Sequence, residues 1–227
     1  MKTVKYVAML SQLAILLLAA CTTDAYEKGE GEYSGLRGDL ADLQVNAEKQ
    51  AETAVTDEDD RLTFVNPFAT NWIQKGDTTY RAYLYYNKEE GEAARVVSAG
   101  QVLVLRPRRE DKPMTDPTGL ESIWLSTNKR YLNMALLLKV GQDGSDDLHH
   151  VLGATFDTIM TNPDRTRTMH LRLYHDQGGV PEYYTQRSYA SIPLDGLPVD
   201  SVCLRVNTYD GWRERRVGIK WEVRSGK

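Results

Sequence analysis

Cysteine is scarce, with Cys21 and Cys203 the two in 227 residues. So few thiols exclude a disulfide-stapled scaffold and a four-cysteine zinc site. Basic charge is in deficit too: 28 Lys and Arg face 32 Asp and Glu, for a formal net charge of −4. That balance leaves no electrostatic footprint for nucleic acid or for an anionic lipid surface. Beyond residue 20 no apolar run approaches the ~20 residues a transmembrane helix needs. Long apolar stripes of helical period are missing as well. H-E-x-x-H, paired C-x-x-C, G-x-S-x-G, Walker A and S-x-x-K patterns are all absent. Nothing therefore points to a metal, a cofactor or an activated nucleophile, and the chain reads as a non-enzyme. Phenylalanine is rare, but 13 Tyr and 4 Trp join many β-branched residues, which favours strands.

The N-terminus is the most specific stretch. Lys2 and Lys5 precede a short apolar run over 7–18, interrupted by Ser11 and Gln12, and Leu18-Ala19-Ala20-Cys21 closes it. Basic start, short apolar centre and small residues before a cysteine make residues 1–20 a lipoprotein signal peptide with a lipobox. Cys21 is the expected lipid-attachment site. Its several acyl chains would hold the mature chain on a membrane, since two or more chains anchor stably. Acylation would leave Cys203 without an intramolecular partner. An unpaired thiol in an apolar strand is expected to be buried and inert.

Residues 21–31 are polar, carry Gly29 and Gly31, and read as a flexible tether. An all-β domain is expected over 32–107. Strands are predicted at 32–46, 51–56, 61–66, 79–87 and 94–106, the last broken at Gly100. The acidic run Asp57-Glu58-Asp59-Asp60 reads as a solvated hairpin turn rather than a calcium loop. Residues 67–75 are expected to make a helical turn in which Phe68 meets Trp72. In the 79–87 strand Tyr80, Ala82, Leu84 and Tyr86 share one face, while Arg81, Tyr83 and Tyr85 share the other. Five strands with a short helical piece suggest an OB-like barrel.

Residues 108–118 are proline-bearing and poor in apolar side chains, which reads as a linker. Seven strands then follow over 119–227, at 120–126, 131–140, 148–157, 168–174, 182–192, 199–208 and 217–223, and suggest an immunoglobulin-like β-sandwich. The clearest period is Leu132, Met134, Leu136, Leu138 and Val140. Residues 176–179 look like a hairpin turn with Gly178 and Gly179 at positive φ. His149 and His150 are adjacent and point to opposite faces of a strand. His170 and His175 differ in parity, so no ion site assembles from either pair alone.

Several local patterns together resemble the NigD-like family of envelope lipoproteins. They are Asp57-Glu58-Asp59-Asp60-Arg61-Leu62, Tyr80-Arg81-Ala82-Tyr83-Leu84-Tyr85-Tyr86, Ile123-Trp124 followed by Tyr131-Leu132-Asn133, and Leu171-Arg172-Leu173-Tyr174-His175. The resemblance implies an N-terminal OB domain and a C-terminal β-sandwich behind a lipoprotein signal. It also implies the envelope of a diderm bacterium, with the outer membrane as the expected location, and a bacteriocin-immunity role. It supplies no functional residues. Exposed aromatics are then the candidates: Tyr83, Tyr85 and Trp212 as a ligand platform, against the plainer reading that they are packing. The expected partners are the membrane, through Cys21, and an envelope protein or a glycan, with no nucleic acid.

Overall fold

A computed structural model describes residues 35–142 and 148–219. The signal peptide, the lipobox with Cys21 and the tether lie outside the described residues. Among the described residues every regular element is a strand, and no helix is long and apolar enough to cross a membrane.

The first five strands are β1 (Leu36–Val45), β2 (Ala51–Thr56), β3 (Arg61–Phe68), β4 (Thr78–Lys88) and β5 (Ala93–Gln101). They close into a barrel in the order β1-β2-β3-β5-β4, with β4 returning to β1 and β3 parallel to β5. This is the OB-like arrangement that the sequence suggests. Period-2 alternation explains it: Ala41, Leu43, Leu62, Phe64, Ala82, Leu84, Tyr86, Ala94 and Val96 turn inward and form the barrel core.

The expected helical turn over 67–75 is not formed. β3 runs on through Pro67 to Phe68, whose ring meets Phe64 at 5.6 Å, while Trp72 meets Tyr80 edge-on at 5.9 Å. The amides of Gln74 and Lys75 donate to the Tyr80 hydroxyl at 3.0 and 2.8 Å. A side chain thus supplies the acceptor that a helical carbonyl would have offered.

The C-terminal part is a two-sheet β-sandwich. Its strands are β6 (Leu103–Val104), β7 (Pro107–Arg108), β8 (Gly119–Leu125), β9 (Tyr131–Val140), β10 (Val151–Thr161), β11 (Arg167–Asp176), β12 (Tyr184–Pro193), β13 (Ser201–Thr208) and β14 (Gly211–Gly218). One sheet has the order β14-β13-β11-β10-β7 and the other β6-β12-β9-β8. Leu132, Met134, Leu136 and Leu138 face Leu171, Leu173, Val202, Leu204 and Val206 across the core. Seven of these strands are the expected ones; β7 is additional, and β6 is the end of the strand expected over 94–106, which pairs with β12 in the sandwich rather than in the barrel. Two places differ from expectation. The last strand begins at Gly211, six residues before the predicted start, because it pairs with β13 through a tight turn at Tyr209 and Asp210. Residues 176–179 do not close a hairpin: β11 and β12 belong to different sheets, so the chain crosses the sandwich there.

Residues 113–118 form a strap laid along the sandwich. Thr115 bridges His175, Thr118 bridges Thr208, and Asn207 donates to the Thr115 carbonyl at 2.8 Å. Barrel and sandwich together form one compact unit from Leu36 onward.

Candidate functional site

The junction between the two parts is built from outward-facing residues. On β4 these are Arg81, Tyr83 and Tyr85. On the four-stranded sheet they are Trp124 and Ser122 of β8, Asn133 and Ala135 of β9, and Tyr189 and Ser191 of β12, which align across the ladder. Asn133, Ser191 and Ala135 are buried although they face away from the sandwich core, because the barrel covers them.

Arg81 is the centre of the contact. Its guanidinium donates to Asp57 at 2.6 Å, Asp42 at 3.3 Å, Asn133 at 3.3 Å and Ser191 at 3.4 Å. Its plane lies 4.0 Å from the Tyr131 ring centroid. Asp42 also takes Arg130 and the Tyr131 hydroxyl, and Asp57 takes the Asn133 amide at 2.7 Å. Two arginines and two aspartates thus join barrel to sandwich with their charges matched. Burial pushes the Asp57 carboxyl above its usual range, against the pull of Arg81.

The acidic turn is therefore not simply solvated. Asp57 enters the buried network, Asp59 accepts from Asn128 at 3.1 Å and Asp60 from Lys88 at 3.0 Å. Sequence reading missed the role of Asp57. One signal was available: Asn133 is a lone polar residue in a strongly apolar strand, and it marks where another polar group must arrive.

Beside this network the seam opens into a groove of about 470 Å³. Tyr83, Trp124 and Tyr189 supply its rings, and Asp39, Asp57, Glu58 and Glu121 its carboxyls; among the described residues no Lys or Arg lines it. Tyr83 stacks on Tyr189 with centroids 4.8 Å apart and planes within 5°. Its phenol lies over Gly38, where a Cβ would come within 2.6 Å of the hydroxyl. Burial, then Tyr85 and Tyr189, push the Tyr83 hydroxyl up to about 12, so it stays a neutral phenol. Tyr85 stands edge-on to Tyr83 and is 43% exposed. Trp212 belongs to β14 in the other sheet, under the Arg205 guanidinium at 4.9 Å. The three candidate aromatics thus do not form one platform: Tyr83 and Tyr85 adjoin, and Trp212 is separate. Another cleft, of about 520 Å³, opens beside β6, β7 and β10. Among the described residues Tyr174 is its one ring, so it offers less for recognition.

Cys203 resolves a conflict of parity. Val202 and Leu204 face the sandwich core and Cys203 the opposite side, yet it is buried. It pairs with Arg216 in the ladder, and burial, then Glu214, push its thiol up to about 11. The native protein should therefore resist maleimide at pH 7.5 over hours and react promptly in urea; rapid native labelling would refute this. Among the described residues no three His, Cys, Asp or Glu side chains are grouped to hold a metal ion.

A closed barrel fastened through buried charges to a two-sheet sandwich, with a ring-lined groove along the seam, defines a barrel–sandwich protein. Residues 101–218 match the NigD-like C-terminal beta sandwich domain, and the chain belongs to the NigD-like family. It is similar to a NigD-like immunity protein from Bacteroides caccae at 25% identity, covering 80% of this chain and 91% of that one, with a TM-score of 0.60. It shares its fold with a protein of unknown function from Bacteroides vulgatus at 17% identity, covering 84% and 92%, with a TM-score of 0.60. No curated protein matches it.

Proposed function

We propose that this is a lipid-anchored envelope protein that binds a partner along the barrel–sandwich seam and acts without catalysis. The protective role follows the name of its Bacteroides caccae relative, an immunity protein. Anchoring rests on the lipobox ending at Cys21. Cys21→Ala should abolish fatty-acid probe incorporation and release the chain from membranes; unchanged labelling and retention would sink that part.

The groove carries the binding reading. Three rings beside carboxylates suit a polar or cationic segment of another envelope protein, with the rings supplying apolar area. Glu58 is exposed and, among the described residues, has no ion-pair partner, so it is open to such a segment. Affinity capture from the native envelope with the lipidated chain is the test. Trp124→Ala should weaken retention about tenfold, the loss of a modest contact residue. Equal retention by wild type and variant would move the binding site elsewhere.

A glycan ligand is the second reading, and the exposed ring of Tyr85 favours it. Tyr189 covers one face of Tyr83, and Arg205 lies over Trp212. Sugar binding should therefore fail in Tyr85→Ala and survive in Trp212→Ala on a glycan array. Turnover of any glycan or peptide, lost on mutating a carboxylate, would overturn the non-catalytic reading.

A further inference from the structure

Four ring nitrogens lie in a row between two backbone carbonyls. His150 Nε2 is 2.9 Å from the Lys139 carbonyl oxygen, and His150 Nδ1 is 2.9 Å from His175 Nε2. His175 Nδ1 is 2.9 Å from the Asp116 carbonyl oxygen. A carbonyl only accepts, so each outer nitrogen must carry a proton. The nitrogen–nitrogen contact needs one more proton between its two atoms. The row is complete with three protons, and two neutral imidazoles carry two.

We propose that His150 and His175 form a clasp that shares one extra proton and fastens the two sheets of the sandwich to the 113–118 strap. Lys139 lies on β9 of one sheet and His175 on β11 of the other, while His150 leads into β10. The strap is bound to the same histidine through its backbone. His175 donates its amide to the Met114 carbonyl at 3.0 Å, and Asp116 returns an amide to the His175 carbonyl at 2.9 Å. Losing the shared proton leaves two acceptors facing each other at one of the three contacts. A buried polar atom then lacks its partner, and the strap lies next to it. The strap runs directly into β8, whose Glu121, Ser122 and Trp124 line the groove.

The charged neighbours agree with a single proton. Glu182 attracts a proton to His150. Asp116 spends its carboxylate on the Gln177 amide and Asp176 on the Gly178 amide. Lys139 contributes its carbonyl. Tyr209 faces Glu182 from the β13–β14 turn. Burial, together with the charge of His175, holds His150 below the ordinary imidazole range. A second proton on the pair is thus resisted.

With the shared proton bound all three contacts carry a hydrogen; as pH rises and that proton leaves, one contact is lost. Strap stability should therefore fall from mildly acidic to mildly alkaline solution.

The test uses the processed full chain with ¹⁵N-labelled histidine. At pH 6 the four nitrogens of the pair should show three protonated and one unprotonated signal. Opening of the Asp116 and Thr118 amides, corrected for intrinsic exchange, should rise about tenfold from pH 6 to pH 8, the factor for one buried hydrogen bond left unmade. His150→Gln should flatten that rise to within about twofold, while His170→Gln keeps it. Two neutral imidazoles at pH 6, strap opening independent of pH, or equal rises in wild type and His150→Gln would each overturn the clasp. If His150→Gln fails to fold, the nitrogen signals and the wild-type exchange decide alone.

Discussion

Arg81→Met should lower the stability of the chain by about 3–5 kcal/mol, the cost of removing one partner from a buried ion pair. The Arg81 side chain is 1% exposed and serves two aspartates, Asp42 of β1 and Asp57 of the β2–β3 turn. Methionine fills much of its volume, so the loss isolates charge and hydrogen bonding from cavity formation. The aspartates suffer unequally. Asp42 keeps Arg130 and the Tyr131 hydroxyl, whereas among the described residues the Asp57 carboxylate keeps Asn133 alone. Asp57 is thus the stranded charge, and Arg81→Met with Asp57→Asn should recover a measurable part of the loss. Arg81→Lys should not, because an ammonium cannot span Asp57, Asn133 and Ser191 as the guanidinium fork does. Urea unfolding of the four proteins checks this. A loss below about 1 kcal/mol for Arg81→Met would place Arg81 among ion pairs of surface worth.

The network also marks where sequence stops being informative. Alternation along 131–140 and 79–87 makes strands and their inward faces legible, because period 2 is a local property. What lies over an outward face is not local. Arg81 and Tyr83 read as surface residues of a barrel strand, and Asp57 as one of four solvated acids in a turn. Each acquires its role from a partner 52 or more residues away, Asn133 for Arg81 and Asn133 again for Asp57. The histidines show the same limit. Parity separates His149 from His150 and His170 from His175, and it says nothing about His150 meeting His175 across two strands. Cys203 was readable as buried because its thiol had no partner and lay in an apolar strand. The side chains that cover it come from the neighbouring strand, whose start the sequence placed six residues late.

The turn at 176–179 carries the second large effect. Gly178 and Gly179 have φ of +62° and +74°, as two turn glycines should. Local chemistry reads correctly here, and the topology does not. β12 pairs with β9 from Tyr184 to Pro193, so the chain leaves β11 and crosses to the opposite sheet. The crossing brings Gly178 against the strand entry at His149. A Cβ on Gly178 would overlap the His149 carbonyl oxygen, a backbone atom that cannot swing aside. Gly196 has the same sign of φ, +72°, and nothing within 4 Å of where its Cβ would lie. Gly196→Ala should therefore show the left-handed penalty alone, about 1–2 kcal/mol. Gly178→Ala should add a steric cost and reach about 2–4 kcal/mol, since forced overpacking costs about 1–3 kcal/mol. Because His149 precedes His150, the displaced backbone should also loosen the histidine clasp, so Gly178→Ala alone should raise exchange at Asp116. Thermal or urea unfolding of both variants, with exchange at that amide, tests the pair of claims. Equal losses in the two variants, with Asp116 exchange unchanged, would mean that the approach of His149 to Gly178 contributes nothing.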